Sequence, residues 1–319
     1  MTRVGVVDLG TNSTRLLVAD VDDGTVRELD RRLVITRLGE GVDERRLLLP
    51  TALARVRNVL AEYRRTIEGR GAKRTLAVAT SAVRDAENGE AFLGEVEWSY
   101  GFATRLLSGD EEARLTFRGV AAGRELPGET LVVDVGGGST ELVLGSTAGV
   151  DWHESLDLGC VRLTERFLHS DPPAAAELDA CAEHVRAVLA ERVPATVRPA
   201  RAIGVAGTVT TLALLSLGLE EEDPELLHGH RLDTAWVAAQ AERLAGLPVA
   251  GIRELRGMHP DRAPVILAGA VVVAETLRHF GLEGLEVSER DLMHGAALAA
   301  AELPEGPEPD APPGAYTCC

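Results

Sequence analysis

An α/β protein built from two related domains is what this sequence predicts, and three observations predict it. The stretch Val6-Val7-Asp8-Leu9-Gly10-Thr11-Asn12-Ser13-Thr14-Arg15-Leu16-Leu17-Val18 aligns without a gap on Val132-Val133-Asp134-Val135-Gly136-Gly137-Gly138-Ser139-Thr140-Glu141-Leu142-Val143-Leu144. Both aspartates, a glycine and the Ser-Thr pair coincide, and each copy reads as a buried strand, a tight glycine turn and a second strand. Short apolar runs of strand length then alternate with amphipathic helical stretches in both halves. A chain of 319 residues is long enough for two such domains.

The elements follow in order. Residues 3–8, 15–20 and 26–36 alternate or run apolar like strands, and Asp22-Asp23-Gly24 turns between the last two. Pro50-Thr51 opens a helix that sets Leu53, Val56, Leu60, Tyr63 and Ile67 on one face. Thr75–Ala79 and Ala103–Leu107 are short strands. Ser108-Gly109-Asp110-Glu111 has capping-box spacing, and its helix runs to about Arg118. The glycine- and charge-rich stretch 119–130 links the halves. After the second strand–loop–strand comes a helix near 159–169, then the break Asp171-Pro172-Pro173. A long helix follows with Leu178, Cys181, Val185, Val188 and Leu189 inward. Strands at 202–206 and 285–288 and helices at 207 onward, 234–245, 262–280 and 291–302 complete the chain. Residues 303–319 are proline-rich and are expected to be a disordered tail.

Composition excludes several classes. Lys plus Arg is 33 and Asp plus Glu is 50, for a net charge of −17, so no nucleic-acid polymer is drawn by bulk electrostatics. A polyanionic ligand would have to be held locally, by loop N–H groups, a few arginines and a divalent cation. The apolar run 263–274 is too short to span a bilayer, so no membrane partner is expected. Cys160, Cys181, Cys318 and Cys319 have neither zinc-site nor disulfide-framework spacing, and no signal peptide is evident, which points to a reducing, cytoplasmic location. Cys318-Cys319 lacks a prenylation box.

The duplicated loops carry the chemistry. Glycine turns aim backbone N–H groups outward, which suits phosphate. Gly136-Gly137-Gly138-Ser139 allows close approach and positive φ, and Gly10-Thr11-Asn12-Ser13 does the same work with hydroxyls and an amide. Asp8 and Asp134 stand at the strand ends, where a carboxylate beside phosphate needs a cation between them; both are read as direct or water-mediated metal ligands, with a turn-capping role as the alternative. Arg15 and Glu141 occupy one slot of the repeat with opposite charge, so Arg15 could hold a phosphate and Glu141 could join the metal site, or both are strand-face charges. Glu111, three after Ser108, serves the capping box. Glu112 can then point elsewhere, ionised in the first helical turn and able to deprotonate a water, though acidic residues favour that turn in any helix. Arg84 and Asn88, at i and i+4, both donate to phosphate if their stretch is helical, or lie on a solvated face. Gly207-Thr208 opens a helix that could take an anion or nucleoside edge, or simply packs tightly. His228-Gly229-His230 lacks a third ligand nearby and reads as loop.

Taken together and in this order, VVDLGTNSTRLLVAD, ATSAVRDAENGEAF, LSGDEEARLTFRGV, VVDVGGGSTELVLG and GVAGTVTTLA resemble the exopolyphosphatase and guanosine pentaphosphate phosphohydrolase family over roughly residues 3–300. The chain looks most like its short actinobacterial branch, without the helical C-terminal domains of longer relatives. The resemblance implies two actin-like domains around a cleft: domain I of residues 1–122, completed by the helix at 291–302, and domain II of residues 123–290. It implies that Glu112 is the catalytic base, that Asp134 and Glu141 hold Mg²⁺ (Mn²⁺ being the substitute), and that Asp8, Gly10, Thr11, Asn12, Ser13, Gly136, Gly137, Gly138 and Ser139 form two phosphate loops. Arg84 is the implied phosphate-binding arginine, and a homodimer is implied on the same ground alone. One departure stands out: Met293-His294 replaces the Arg-Glu of many members, which removes one cationic contact to the phosphates and puts long-chain affinity in doubt.

The expected activity is therefore phosphoanhydride hydrolysis, releasing orthophosphate from inorganic polyphosphate. The nearest alternative is removal of the 5′-terminal phosphate of guanosine pentaphosphate, a stringent-response alarmone. A non-hydrolytic alarmone or nucleotide sensor would keep the loops but need no base, and a sugar or acetate kinase would need an acceptor pocket for which the sequence offers no signature.

Overall fold

The computed structural model describes residues 1–304, so nearly all of the expected tail, with Cys318 and Cys319, lies outside the described residues. The chain divides into two compact units, one formed by Met1–Gly123 with the segment from Leu292 onward, the other by Arg124–Asp291.

In the first unit, β1 (Thr2–Leu9), β2 (Ser13–Asp22) and β3 (Thr25–Ile35) form an antiparallel meander, followed by α1 (Val42–Arg45) and α2 (Pro50–Gly69). Next come β4 (Arg74–Ala79), α3 (Ser81–Asp85), α4 (Gly89–Tyr100), β5 (Ala103–Leu106) and α5 (Gly109–Ala121). The sheet order is β3-β2-β1-β4-β5, with β4 and β5 parallel to β1. The central strands are apolar almost throughout because both faces are covered. Val7, Leu9, Leu16 and Val18 pack with Val56, Leu60, Tyr63 and Ile67 of α2. Val4, Val6, Leu17 and Ala19 face the other way, into a cluster with Leu115, Ala296, Ala297 and Ala300. That alternation is the two-residue period of a strand.

The second unit begins with β6 (Thr130–Val135), β7 (Thr140–Ser146), β8 (Gly149–Leu156), α6 (Cys160–Phe167), α7 (Ala175–Arg192) and β9 (Arg201–Val205). It continues through α8 (Ala206–Leu217), α9 (Pro224–Leu227), β10 (Arg231–Asp233), α10 (Thr234–Ala245), α11 (Val249–Arg253), α12 (Ile266–Phe280) and β11 (Gly284–Val287). Its order, β10-β11-β9-β6-β7-β8, repeats the first sheet: an antiparallel three-strand meander, then parallel neighbours, with β10 added at the edge. The same strand plan twice in one chain is the actin-like arrangement. All residues of α12 from Ile266 to Leu277 are buried, which explains why its sequence is apolar all round from Ile266 to Ala274. On α7, Cys181, Val185 and Leu189 are buried, whereas Leu178 and Val188 are only half-buried.

The chain then returns to the first unit as α13 (Leu292–Glu302). A Cβ on Gly295 would lie 1.8 Å from the Leu115 carbonyl oxygen, so glycine lets α13 cross α5 backbone to backbone. Arg74 donates to the Ala301 carbonyl, and Arg118 pairs with Glu302 at 2.6 Å. Met293 is buried in the apolar cluster of this unit, and His294 stands 3.0 Å from Glu28 of β3. The departure from the Arg-Glu pattern is thus accommodated within the unit's own packing. Among the described residues no helix is long and apolar enough to cross a membrane.

Candidate functional site

The two glycine loops are built alike. Gly10 N–H donates to the Ser13 carbonyl at 3.1 Å, and Gly136 N–H to the Ser139 carbonyl at 3.0 Å. A Cβ would lie 2.9 Å from the Ser13 oxygen at Gly10 and 3.1 Å from the Ser139 oxygen at Gly136. Close approach, then, is what selects glycine here. The expected positive φ is not the reason, since Gly10, Gly136, Gly137 and Gly138 all lie outside the left-handed region.

A planar trans peptide points its C=O and N–H in opposite directions. Fixing a carbonyl therefore fixes where the next N–H points. In the second loop, the carbonyl of Gly136 accepts from Cys160 N–H at 3.0 Å. That of Gly137 accepts from Val161 and Arg162 N–H at 2.9 and 3.2 Å. The Gly138 carbonyl accepts from Arg162 Nε at 2.7 Å. All three carbonyls turn toward the start of α6, so the N–H groups of Gly137, Gly138 and Ser139 turn away from it. In the first loop, the Thr11 carbonyl accepts from Gly39 N–H at 2.8 Å and the Asn12 carbonyl from Thr36 and Arg37 N–H at 3.0 and 2.9 Å. The N–H groups of Asn12 and Ser13 are directed away by the same logic. Successive outward N–H groups at the tip of a hairpin make an anion nest.

The supporting segments were missed from sequence. Each follows the third strand and carries Leu-Gly, as Leu38-Gly39 and Leu158-Gly159. A Cβ on Gly39 would lie 2.3 Å from the Thr11 side chain, and one on Gly159 would lie 2.2 Å from the Gly137 oxygen. The Thr14 hydroxyl bonds the Thr36 hydroxyl at 2.9 Å, and the Thr140 hydroxyl donates to the Leu158 carbonyl at 2.7 Å. These shared dipeptides and hydroxyls extend the repeat and were the available signal.

The two strand-end aspartates differ. Asp8 sits opposite Arg15 in the ladder, and Arg15 Nε donates to Asp8 Oδ2 at 2.8 Å. The guanidinium beside Asp8 supplies positive charge at the same carboxylate that the sequence reading gave to a metal. Arg15, read as a phosphate holder, is engaged with Asp8 by the same bond. Asp134 sits opposite Glu141, and Glu141 opposite Ser155. Opposed residues on antiparallel strands share a face with Cβ atoms about 5 Å apart. Asp134 is 6% and Glu141 1% exposed, and Ser155 Oγ donates to Glu141 Oε1 at 2.8 Å. Two buried carboxylates and a hydroxyl in one row form an all-oxygen donor set, which fits Mg²⁺. Among the described residues no three His, Cys, Asp or Glu side chains converge on a common point, so waters and ligand oxygens would complete the shell.

The capping box is present: Ser108 Oγ accepts from Glu111 N–H at 3.2 Å, and Glu111 Oε2 accepts from Ser108 N–H at 2.9 Å. The Ser108 N–H and Arg105 hold the Glu111 carboxyl below the usual range. Glu112, 7% exposed, is turned toward α3, where Arg84 Nη1 lies 3.2 Å from its Oε2. The same nitrogen donates to the Leu107 carbonyl at 2.7 Å. The structure thus brings together Glu112 and Arg84, residues far apart in sequence.

One further reading is corrected. Asn88 does not share a helical face with Arg84, because α3 ends at Asp85; its amide instead clamps the backbone of Leu48, at 2.8 and 3.0 Å. The Thr208 side chain packs inward, where a Cβ on Gly269 would approach its hydroxyl to 2.7 Å. Its hydroxyl bonds the buried Cys160 thiol, which burial pushes up to about 11. A Cβ on Gly207 would lie 2.3 Å from the Arg262 guanidinium, which donates to the Gly207 carbonyl. Both residues are thus packed against neighbours within the second unit. His228 and His230 are loop residues, bonded to Glu289 N–H at 3.3 Å and Ser216 Oγ at 3.1 Å respectively.

Two actin-like units, each with a buttressed anion nest, together with a buried Glu–Arg pair at a helix start, define a phosphate-handling enzyme fold. The chain matches the Ppx/GppA phosphatase family over residues 17–302 and belongs to that family. It is 40% identical over 321 residues to Exopolyphosphatase 2 of Mycobacterium tuberculosis (strain ATCC 25618 / H37Rv), covering 94% of this chain and 99% of that protein. It is 27% identical to the guanosine-5′-triphosphate,3′-diphosphate pyrophosphatase of Pseudoalteromonas translucida, covering 91% of this chain and 56% of that protein. The solved Aquifex aeolicus member of the family superimposes with a TM-score of 0.80 at 33% identity, over 93% of this chain and 97% of that one.

Proposed function

We propose that the chain is an exopolyphosphatase, hydrolysing the terminal phosphoanhydride of inorganic polyphosphate to release orthophosphate. The observation that carries this reading is the buttressed glycine loop, built twice in the chain, each copy turning successive N–H groups outward in a nest suited to phosphate. Glu112 takes the proton of the attacking water. The water oxygen bonds to the terminal phosphorus, the bridging P–O bond breaks, and the electron pair leaves with the shortened chain. The phosphoryl transition state is loose, so positioning and charge neutralisation do most of the work. Arg84 is bonded to Glu112 and holds that carboxylate, and its guanidinium is the group assigned to the phosphoryl oxygens. Asp134 and Glu141 would hold Mg²⁺, which when bound neutralises charge on those oxygens.

A soluble enzyme without a nucleic-acid or membrane partner accords with the acidic composition. Guanosine pentaphosphate is the second substrate to consider, because the Pseudoalteromonas relative is named for that chemistry. Initial rates of phosphate release decide between them. The panel is inorganic polyphosphate of several lengths, guanosine pentaphosphate and nucleoside triphosphates, each with and without Mg²⁺. The reading expects polyphosphate to give the highest kcat/KM and Mg²⁺ to be required. Tight binding without release would identify a sensor instead.

A further inference from the structure

We propose that Arg162 is a positioning residue of the second phosphate loop, orienting the Gly138–Ser139 peptide so that its N–H faces bound phosphate. This inference rests on the functional reading above and assigns a role to a side chain behind the loop.

The three peptides of the loop are not held alike. The Gly136 and Gly137 carbonyls accept from backbone N–H groups of Cys160, Val161 and Arg162, donors fixed by the first turn of α6. The third carbonyl, that of Gly138, takes Arg162 Nε at 2.7 Å. Arg162 is 8% exposed, so this charge-assisted bond is made away from water. Asp157 lies 3.7 Å from Arg162 Nη2 with a side chain 79% exposed, a contact at the solvent side of the guanidinium that water largely screens. A guanidinium bonded to a carbonyl polarises it, and a polarised peptide is a stronger N–H donor on its far side.

The first loop is held differently. Its Thr11 and Asn12 carbonyls are both met by backbone N–H groups. Arg55 acts one layer further back, donating to the Thr36 and Arg37 carbonyls at 2.6 and 3.2 Å. In the second loop, truncating one side chain releases the Gly138 carbonyl while leaving the backbone donors to Gly136 and Gly137 in place.

The test uses the full-length protein and a short inorganic polyphosphate in Mg²⁺. Affinity is read by equilibrium binding and turnover by phosphate release, for wild type, Arg162→Ala and Arg162→Lys. Arg162→Ala is expected to weaken binding and to lower kcat/KM by about tenfold to a hundredfold, with KM rising. Guanidinium at low, non-denaturing concentration should restore a measurable part of the loss, whereas equal sodium chloride should not. Arg162→Lys should fold and fall between wild type and alanine, which keeps the test informative should the alanine variant not fold. Wild-type affinity and kcat/KM in a folded Arg162→Ala or Arg162→Lys would overturn this inference alone. So would a loss that merely follows the folded fraction and does not respond to guanidinium. Wild-type protein that neither binds nor hydrolyses polyphosphate would overturn the functional reading, and this inference with it.

Discussion

Gly159→Ala tests the buttress most sharply. The added Cβ would lie 2.2 Å from the Gly137 oxygen and 2.3 Å from the carbonyl carbons of Gly137 and Gly138. Ordinary contact begins at 3.4 Å, so the loop or the start of α6 must give by 3.4 − 2.2 = 1.2 Å. The obstruction is backbone, so no side chain can rotate out of the way. Overpacking of this kind costs about 1–3 kcal/mol, and a melting point moves about 2–4 °C per kcal/mol in a domain of this size. A displacement near 1 Å at a positioning element costs about 10²-fold in rate. The assay is phosphate release from polyphosphate, with thermal melting of the same preparation. Gly94→Ala is the control: it lies in α4 with nothing within 4 Å of the new Cβ. It should be neutral or stabilising by up to about 1 kcal/mol. A folded Gly159→Ala with wild-type kcat and KM would refute the claim that loop peptide orientation positions the substrate.

Other outcomes follow from the same structure. Gly295→Ala should destabilise the first unit by about 1–3 kcal/mol or more, because its Cβ meets the Leu115 carbonyl at 1.8 Å; an unchanged thermal melt contradicts the α5–α13 packing. Mg²⁺ should raise the melting temperature of the wild type, by the equivalent of about 2.7 kcal/mol at a hundred times its Kd. Glu141→Ala should abolish that rise, and a persisting rise would put the cation elsewhere. Glu177 is held at about 2 by the Ser170 hydroxyl and the N–H groups of Ala174, His169 and Ser170. Its folded value is depressed from 4.5, so its stabilisation is present above that value and lost as pH falls toward 2. Glu177→Gln should therefore lower the melting temperature at neutral pH, with the deficit shrinking as pH falls below 4.5; a pH-independent deficit would contradict this.

Much of the fold was legible because it is local. The strands around Asp8 and Asp134 are buried on both faces and read as apolar runs, and Ser108 to Glu111 announces α5 through its cap. What was not legible depends on tertiary partners. The strand β8 mixes Trp152, His153 and Glu154 and is only half-buried, so it shows no clean alternation. The helix α4 buries little beyond Phe92, Leu93 and Val96, and its sequence did not declare itself. At the site, the paired hairpins were readable from their spacing, whereas the role given to Glu112 came from the family resemblance. The Asp8–Arg15 bond was not, because strand register decides which residues oppose one another. The inward turn of Thr208 depends on Gly269 and Cys160, both distant in sequence.

The proposed hydrolysis turns on one group, the buried glutamate beside Arg84 that is assigned to activate the attacking water. The most direct measurement is Glu112→Gln, comparing its phosphate-release rate and polyphosphate affinity with those of the wild type. The account predicts turnover lower by about 10²–10⁴ with affinity nearly unchanged. Near-normal turnover in that variant would contradict it.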